Sequence, residues 1–161
     1  MGQRGARTDR EVSAPVEIVC VVWAGERRFD TGRVGGPTAR LDGSGKSGQT
    51  PLDALLSALA ACSGVDVVDI LAKRRTPVEK LSIDVTFERR AEIPRRFEHI
   101  VLTYRVDGAG IERVHAERTV QLAFEKYCSV AASLGADIVV ETMVTLNGVE
   151  GISVRQPIYG S

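Results

Sequence analysis

The sequence predicts an α+β domain in the order βββ-α-ββ-α-β, and three stretches carry that expectation. Thr50 to Thr76 (TPLDALLSALAACSGVDVVDILAKRRT) reads as one long helix that is apolar on every side. Leu81 to Phe87 and Ile100 to Val106 alternate apolar and polar residues with the period of strands. Glu112 to Leu134 returns to a helical period, with Ala116, Val120, Ala123, Phe124, Tyr127, Cys128, Ala131 and Leu134 on one stripe.

Taken in order, the chain begins with MGQRGARTDREVSAP, which is polar, carries three arginines and lacks a hydrophobic signal core. Residues 1–15 are expected to be a disordered N-terminal tail, residues 16–150 the domain, and residues 151–161 a C-terminal tail. Val16 to Trp23 (VEIVCVVW) is a β-branched run apolar on both faces, the pattern of a strand covered on both sides. Ala24-Gly25-Glu26 turns it into a second strand around Arg27 to Thr31. Gly35-Gly36-Pro37 ends that strand, and Thr38 to Asp42 makes a short third. Gly43 to Gln49 (GSGKSGQ) is a flexible loop by composition. Its Gly-Lys-Ser does not make a phosphate loop, because Arg40 stands where that motif needs glycine and no helix starts at the lysine.

The long helix has its own delimiters. Thr50 suits the N-cap, Pro51 the first turn and Asp53 the positive end of the dipole, while Lys73, Arg74 and Arg75 suit the other end. Polar residues at Asp53, Ser57, Ser63, Asp66 and Asp69 interrupt it too often for a membrane span. A helix apolar all round is a buried one, and a single chain has little material to cover two such helices as well as the strands. A homodimer with an interface of obligate size is therefore expected. Pro94, between Arg89-Arg90 and Arg95-Arg96, marks the turn of a long hairpin. Gly135 stops the second helix, and Asp137 to Leu146 is the last strand.

At 161 residues the chain is one domain with room for a real core. Its 21 basic and 21 acidic residues cancel, so neither nucleic acid nor an anionic membrane is an expected partner. Three cysteines without a CxxC make a poor disulfide framework and read as one or more working thiols in a reducing, cytoplasmic compartment. Cys62 and Cys128 each sit inside a helix, whereas Cys20, in a strand, reads as core filler. His99 and His115 lack ligand spacing, so no metal and no cofactor is expected.

The element order, with one thiol in each helix, resembles the OsmC/Ohr superfamily of osmotically induced and organic hydroperoxide resistance proteins. The resemblance rests on TPLDALLSALAACSGVDVVDIL at 50–71 and ERTVQLAFEKYCSVAASL at 117–134, whose Glu-Lys-Tyr-Cys-Ser-Val segment points to the OsmC-like branch. It covers about residues 16 to 150. It implies an intertwined homodimer with two long helices per chain packed centrally against sheets, and an active site at the interface. It also implies a thiol-dependent peroxidase of oxidative-stress defence, acting on hydrophobic organic hydroperoxides and recycled by a dithiol such as a lipoyl group. On that reading Cys62 is the attacking thiol, and its sulfenic acid is resolved as a disulfide by Cys128.

The resemblance further implies an activating arginine from the early strands, held by a carboxylate in the first turn of the central helix. Asp53 takes the carboxylate's position, where OsmC-like members often carry glutamate. Arg27, Arg28, Arg33 and Arg40 stay open for the arginine. Arg28 is favoured because Arg27 and Phe29 share the opposite strand face. Asp66 and Asp69, at i+4 and i+7 from Cys62, share its helix face and would oppose a thiolate, so they are expected to cap or pair elsewhere. The alternative function is a non-catalytic dimer that binds a small apolar ligand, its cysteines being packing residues.

Overall fold

The computed structural model describes residues 16–158, and these divide into two compact units, one ending at Pro51 and one beginning at Leu52. The expected N-terminal tail lies outside the described residues.

The first unit is an antiparallel sheet in the order β1-β2-β3, built from β1 (Val19–Trp23), β2 (Arg28–Arg33) and β3 (Ala39–Asp42). Gly25 and Glu26 take left-handed backbone conformations in the β1–β2 turn, which the Trp23 indole closes by donating to the Glu26 carbonyl at 3.0 Å. The expectation that both faces of this strand are covered is not met among the described residues. Val19, Val21, Val22 and Trp23 are 61–65% exposed.

The stretch 43–49, expected to be flexible, is folded around one carboxylate. Asp42 is 2% exposed and accepts from the Ser44 N–H (2.8 Å) and hydroxyl (2.6 Å) and from the Ser47 N–H (3.0 Å) and hydroxyl (2.7 Å). These bonds, the Ser44 hydroxyl first, hold the Asp42 carboxyl well below the usual carboxylate range.

The second unit carries the core. Helix α1 (Pro51–Lys73) opens and closes on the residues that delimit it in the sequence. Strands β4 (Lys80–Arg89) and β5 (Phe97–Asp107) form the expected antiparallel pair. β6 (Val139–Leu146) then runs parallel to β5, as a helical crossover between them requires. β7 (Val149–Glu150) and β8 (Val154–Gln156) both pair antiparallel with β6, so the stretch expected as a C-terminal tail contributes a strand.

The crossover is not one helix. α2 (Arg113–Leu122) passes into a π-helical turn at Ala123–Tyr127, the chain extends at Cys128 (φ −71°, ψ 99°), and a short α3 (Ser129–Ala132) follows. A π turn holds an extra residue, so the apolar stripe continues in sequence while the backbone leaves its helical path.

Ile100, Leu102, Tyr104 and Val106 of β5 are fully buried, against Leu59, Val67 and Leu71 of α1 and Val120 and Ala123 of the crossover. Each buried leucine or valine contributes roughly 2 kcal/mol. Gly64 permits the close approach of α1 to β4, since a Cβ there would lie 3.0 Å from Ile83 Cδ1. α1 is buried on one face only. Leu55, Val65 and Val68 remain exposed, contrary to the all-round burial expected of so apolar a helix.

Candidate thiol site

On α1 the inward face runs Leu56, Leu59, Ala60, Ser63, Val67 and Leu71, and Cys62 stands at its border, half-buried. Ser63 is a polar residue in the fully buried row, so its hydroxyl needs partners. It donates back to the Leu59 carbonyl at 2.9 Å, and its oxygen lies 2.5 Å from the Tyr104 hydroxyl, which is satisfied by donating to it. Burial pushes the Tyr104 phenol above its ordinary range, and the charges of Cys128, Asp66 and Cys62 all act on it in the same direction.

Cys128 reaches this place because the π turn ends there. It is buried, its extended backbone caps α3, and its sulfur accepts from the Ala131 N–H at 3.4 Å. Both thiols are free. Burial first, and the neighbouring Cys62 as well, push the Cys128 thiol up to about 11 against the pull of the Ala131 N–H. Cys128 therefore keeps its proton at neutral pH.

Asp66 lies one turn beyond Cys62. It does not pair elsewhere, as its place in the sequence led us to expect. Its Oδ2 is buried without a hydrogen-bond partner, and it forms no ion pair among the described residues. Burial, then the charge of Asp69, raises its carboxyl above the usual range.

The other expected site residues are spread between the units. Asp53 stands in the first turn of α1, in the second unit, and lines a groove of about 350 Å³ with Leu56, Ser57 and Phe87. The four arginines belong to the first unit. Arg40 binds Asp30 through two nitrogens (2.5 and 3.1 Å) and Arg33 binds Glu17 (2.6 and 2.8 Å), so both are engaged by carboxylates. Arg28 has a looser hold, 3.5 Å from Glu26 and 3.4 Å from the Gly25 carbonyl. Arg27 packs beside Gly43. Cys20, expected in a core, is only partly buried in β1 and lies outside the core cluster.

Along the outer side of α1 runs an apolar cavity of about 540 Å³, walled by Ala61, Gly64, Val65, Val68, Leu81 and Ile83. Ala61 precedes Cys62, and Val65 lies one turn beyond it on the same side of the helix. Among the described residues no group of three His, Cys, Asp or Glu side chains could hold a metal ion. Sequence reasoning missed the Ser63–Tyr104 bond. The one available signal was a serine in an otherwise apolar inward row, facing a strand whose buried set includes a tyrosine.

The fold is α+β, with one free thiol on α1 and another at the break in the crossover. The chain belongs to the OsmC-like family, which its residues 43–143 match. It is 43% identical to Protein YhfA of Escherichia coli strain K12 over 95 residues, which are 58% of this chain and 71% of that protein. Its fold is similar to a hypothetical protein from Aquifex aeolicus VF5 (TM-score 0.74, 28% identity, 83% of this chain and 98% of that one). It is also similar in fold to an organic hydroperoxide resistance protein OsmC, a predicted redox protein, from Legionella pneumophila (TM-score 0.57, 17% identity, 82% and 98%).

Proposed function

We propose that this protein is a cytoplasmic, homodimeric thiol peroxidase that reduces hydrophobic organic hydroperoxides in oxidative-stress defence. The observation that carries the reading is that two free thiols 66 positions apart (128 − 62), Cys62 and Cys128, are brought near enough for Cys62 to act on the Cys128 thiol. The Cys62 thiolate attacks the outer peroxide oxygen, the O–O bond breaks, and the alkoxide leaves as the alcohol once protonated. Cys62 is left as a sulfenic acid. Cys128 displaces the hydroxyl as water and forms a Cys62–Cys128 disulfide. An external dithiol, such as a reduced lipoyl group, exchanges with that disulfide and restores both thiols.

Membership of the OsmC-like family supports a redox role, and the printed name of the Legionella protein points to organic hydroperoxides. The apolar cavity beside α1 supports a hydrophobic substrate. Burying an extra 100 Å² of substrate is worth about 2.5 kcal/mol at ~25 cal/mol per Å², nearly two powers of ten in kcat/KM if kept in the transition state. With dihydrolipoamide as reductant, cumene hydroperoxide is expected to be consumed at least tenfold faster than hydrogen peroxide, and Cys62→Ser to abolish consumption of both. The family resemblance assigns activation of Cys62 to an arginine of the early strands held by Asp53; Arg28 is the one its strand face favours, and Arg28→Ala is expected to slow the first step more than tenfold.

The same cavity favours one other reading, a dimer that binds an apolar ligand without turnover. No peroxide consumed with any dithiol, together with a melting temperature raised by an apolar ligand, would decide for it.

A further inference from the structure

We propose that Asp66 is the proton acceptor for Cys128 when that thiol resolves an oxidised Cys62. The sulfenic acid in this step rests on the peroxidase reading, but the proton transfer can be tested apart from it.

Two features of geometry point to Asp66. It lies at i+4 from Cys62 on the same helix face, and it shares a cavity of about 280 Å³ with Leu122 and Tyr127, the latter next in chain to Cys128. It therefore faces the segment that delivers the second thiol. Its Oδ2 is buried with no partner among the described residues, a carboxylate oxygen with lone pairs to offer.

The surrounding groups leave the task to it. On α1, Asp69 and Lys73 line the same cavity, and neither makes a hydrogen bond to the Asp66 Oδ2. From β5, the Tyr104 hydroxyl is taken by Ser63. From the crossover comes Tyr127, next in chain to Cys128. The histidines are engaged elsewhere, His99 with Glu141 at 3.2 Å and His115 beside Glu112 at 3.9 Å.

The chemistry needs such a group. With its thiol up at about 11, Cys128 is thiolate to only about one part in ten thousand at neutral pH. A carboxyl raised by burial is a better match to that thiol than an ordinary aspartate, so the transfer is less uphill. The step balances: the Cys128 proton passes to Asp66 and the sulfur attacks the Cys62 sulfur. The S–O bond breaks, and the departing hydroxide takes the proton from Asp66 as water. The oxidant is the sulfenic acid itself.

The test compares the parent with Asp66→Asn and Asp66→Glu, each carrying Cys20→Ser so that only the pair reacts. After one equivalent of cumene hydroperoxide, Asp66→Asn is expected to form the Cys62 sulfenic acid within twofold of the parent rate. Its Cys62–Cys128 disulfide should form at least tenfold more slowly, at a rate rising tenfold per pH unit toward the thiol's own ionisation. Asp66→Glu, which keeps a carboxylate, is expected to recover much of the rate. A second readout needs no peroxide. Cys62 is loaded as a mixed disulfide with thionitrobenzoate, and release of thionitrobenzoate reports the attack by Cys128 directly. Slowed release in Asp66→Asn supports the assignment, and release at the parent rate with the parent pH profile overturns it. If the parent forms no sulfenic acid, the peroxidase reading falls and the mixed-disulfide rate still decides the role of Asp66.

Discussion

The sheets of the two units treat the same residue types in opposite ways. In β5 of the five-stranded sheet, Ile100, Leu102, Tyr104 and Val106 are wholly buried, and Cys128 joins them in that layer with Cys62 at its border. In β1 of the three-stranded sheet, Val19, Val21, Val22 and Trp23 are each more than three-fifths exposed, and Asp42 is the only residue of the described part of that unit to be buried. The second unit thus stands on its own core, while the first is held by turns, a carboxylate and surface ion pairs. An apolar strand that its own chain does not cover is surface in need of a partner. A second copy of the chain is the occupant we propose.

The contrast can be broken most sharply in the core. Leu102→Ala is expected to destabilise the protein by about 2–5 kcal/mol, lowering the melting temperature by on the order of 10 °C. A shift no larger than that of a surface change would mean the five-stranded sheet is not the stabilising layer. The exposed sheet should answer differently. Val21→Ser and Val22→Ser change a side chain already in water and should alter the stability of an isolated chain by under about 0.5 kcal/mol. If a second copy covers β1, the pair of changes should instead shift the mass seen by light scattering from dimer toward monomer. A parent that is monomeric at micromolar concentration would refute the dimer outright.

A finer probe is the polar contact inside the dry layer. Tyr104→Phe removes one buried hydrogen bond and leaves Ser63 its helix carbonyl, so a loss of about 1 kcal/mol is expected, read by urea denaturation. Two further effects concern pH, and their signs are fixed. The Cys128 thiol is raised on folding, to about 11. Its contribution to stability is fully present below about pH 8.5, the ordinary thiol value, and is lost as pH rises toward 11. Cys128→Ser should flatten that alkaline limb. Asp66 is also raised, so its contribution is present below about pH 4 and lost as pH rises through its folded value. Asp66→Asn should therefore be slightly more stable than the parent at neutral pH, as thermal melts across pH would report.

How far the sequence could be read follows from the range of the forces involved. The ends of α1 were legible because Pro51, Asp53 and Lys73 act within one helical turn. β4 and β5 were legible because alternation is local. The break of the crossover at Cys128 was hidden, since the apolar stripe runs on from Ala116 to Leu134 and the π turn answers to packing. Composition misread Gly43–Gln49, where one buried carboxylate orders serines two and five positions away. At the site, Cys62 and Cys128 could be singled out as thiols, and the resemblance paired them. The effect of Cys62 on the Cys128 thiol, the Ser63–Tyr104 contact and the unpartnered Asp66 oxygen depend on residues far apart in the chain. The charge of Asp66 was visible on the Cys62 face, and its lack of a partner was not.

The central claim is that Cys62 attacks and Cys128 resolves, and peptide mass spectrometry after one equivalent of cumene hydroperoxide tests it most directly. The expected product is a Cys62–Cys128 disulfide with Cys20 still reduced. In Cys128→Ser, the expected product is sulfenic or sulfinic acid confined to Cys62. Oxidation falling on Cys20, or equally on all three cysteines, would contradict the claim.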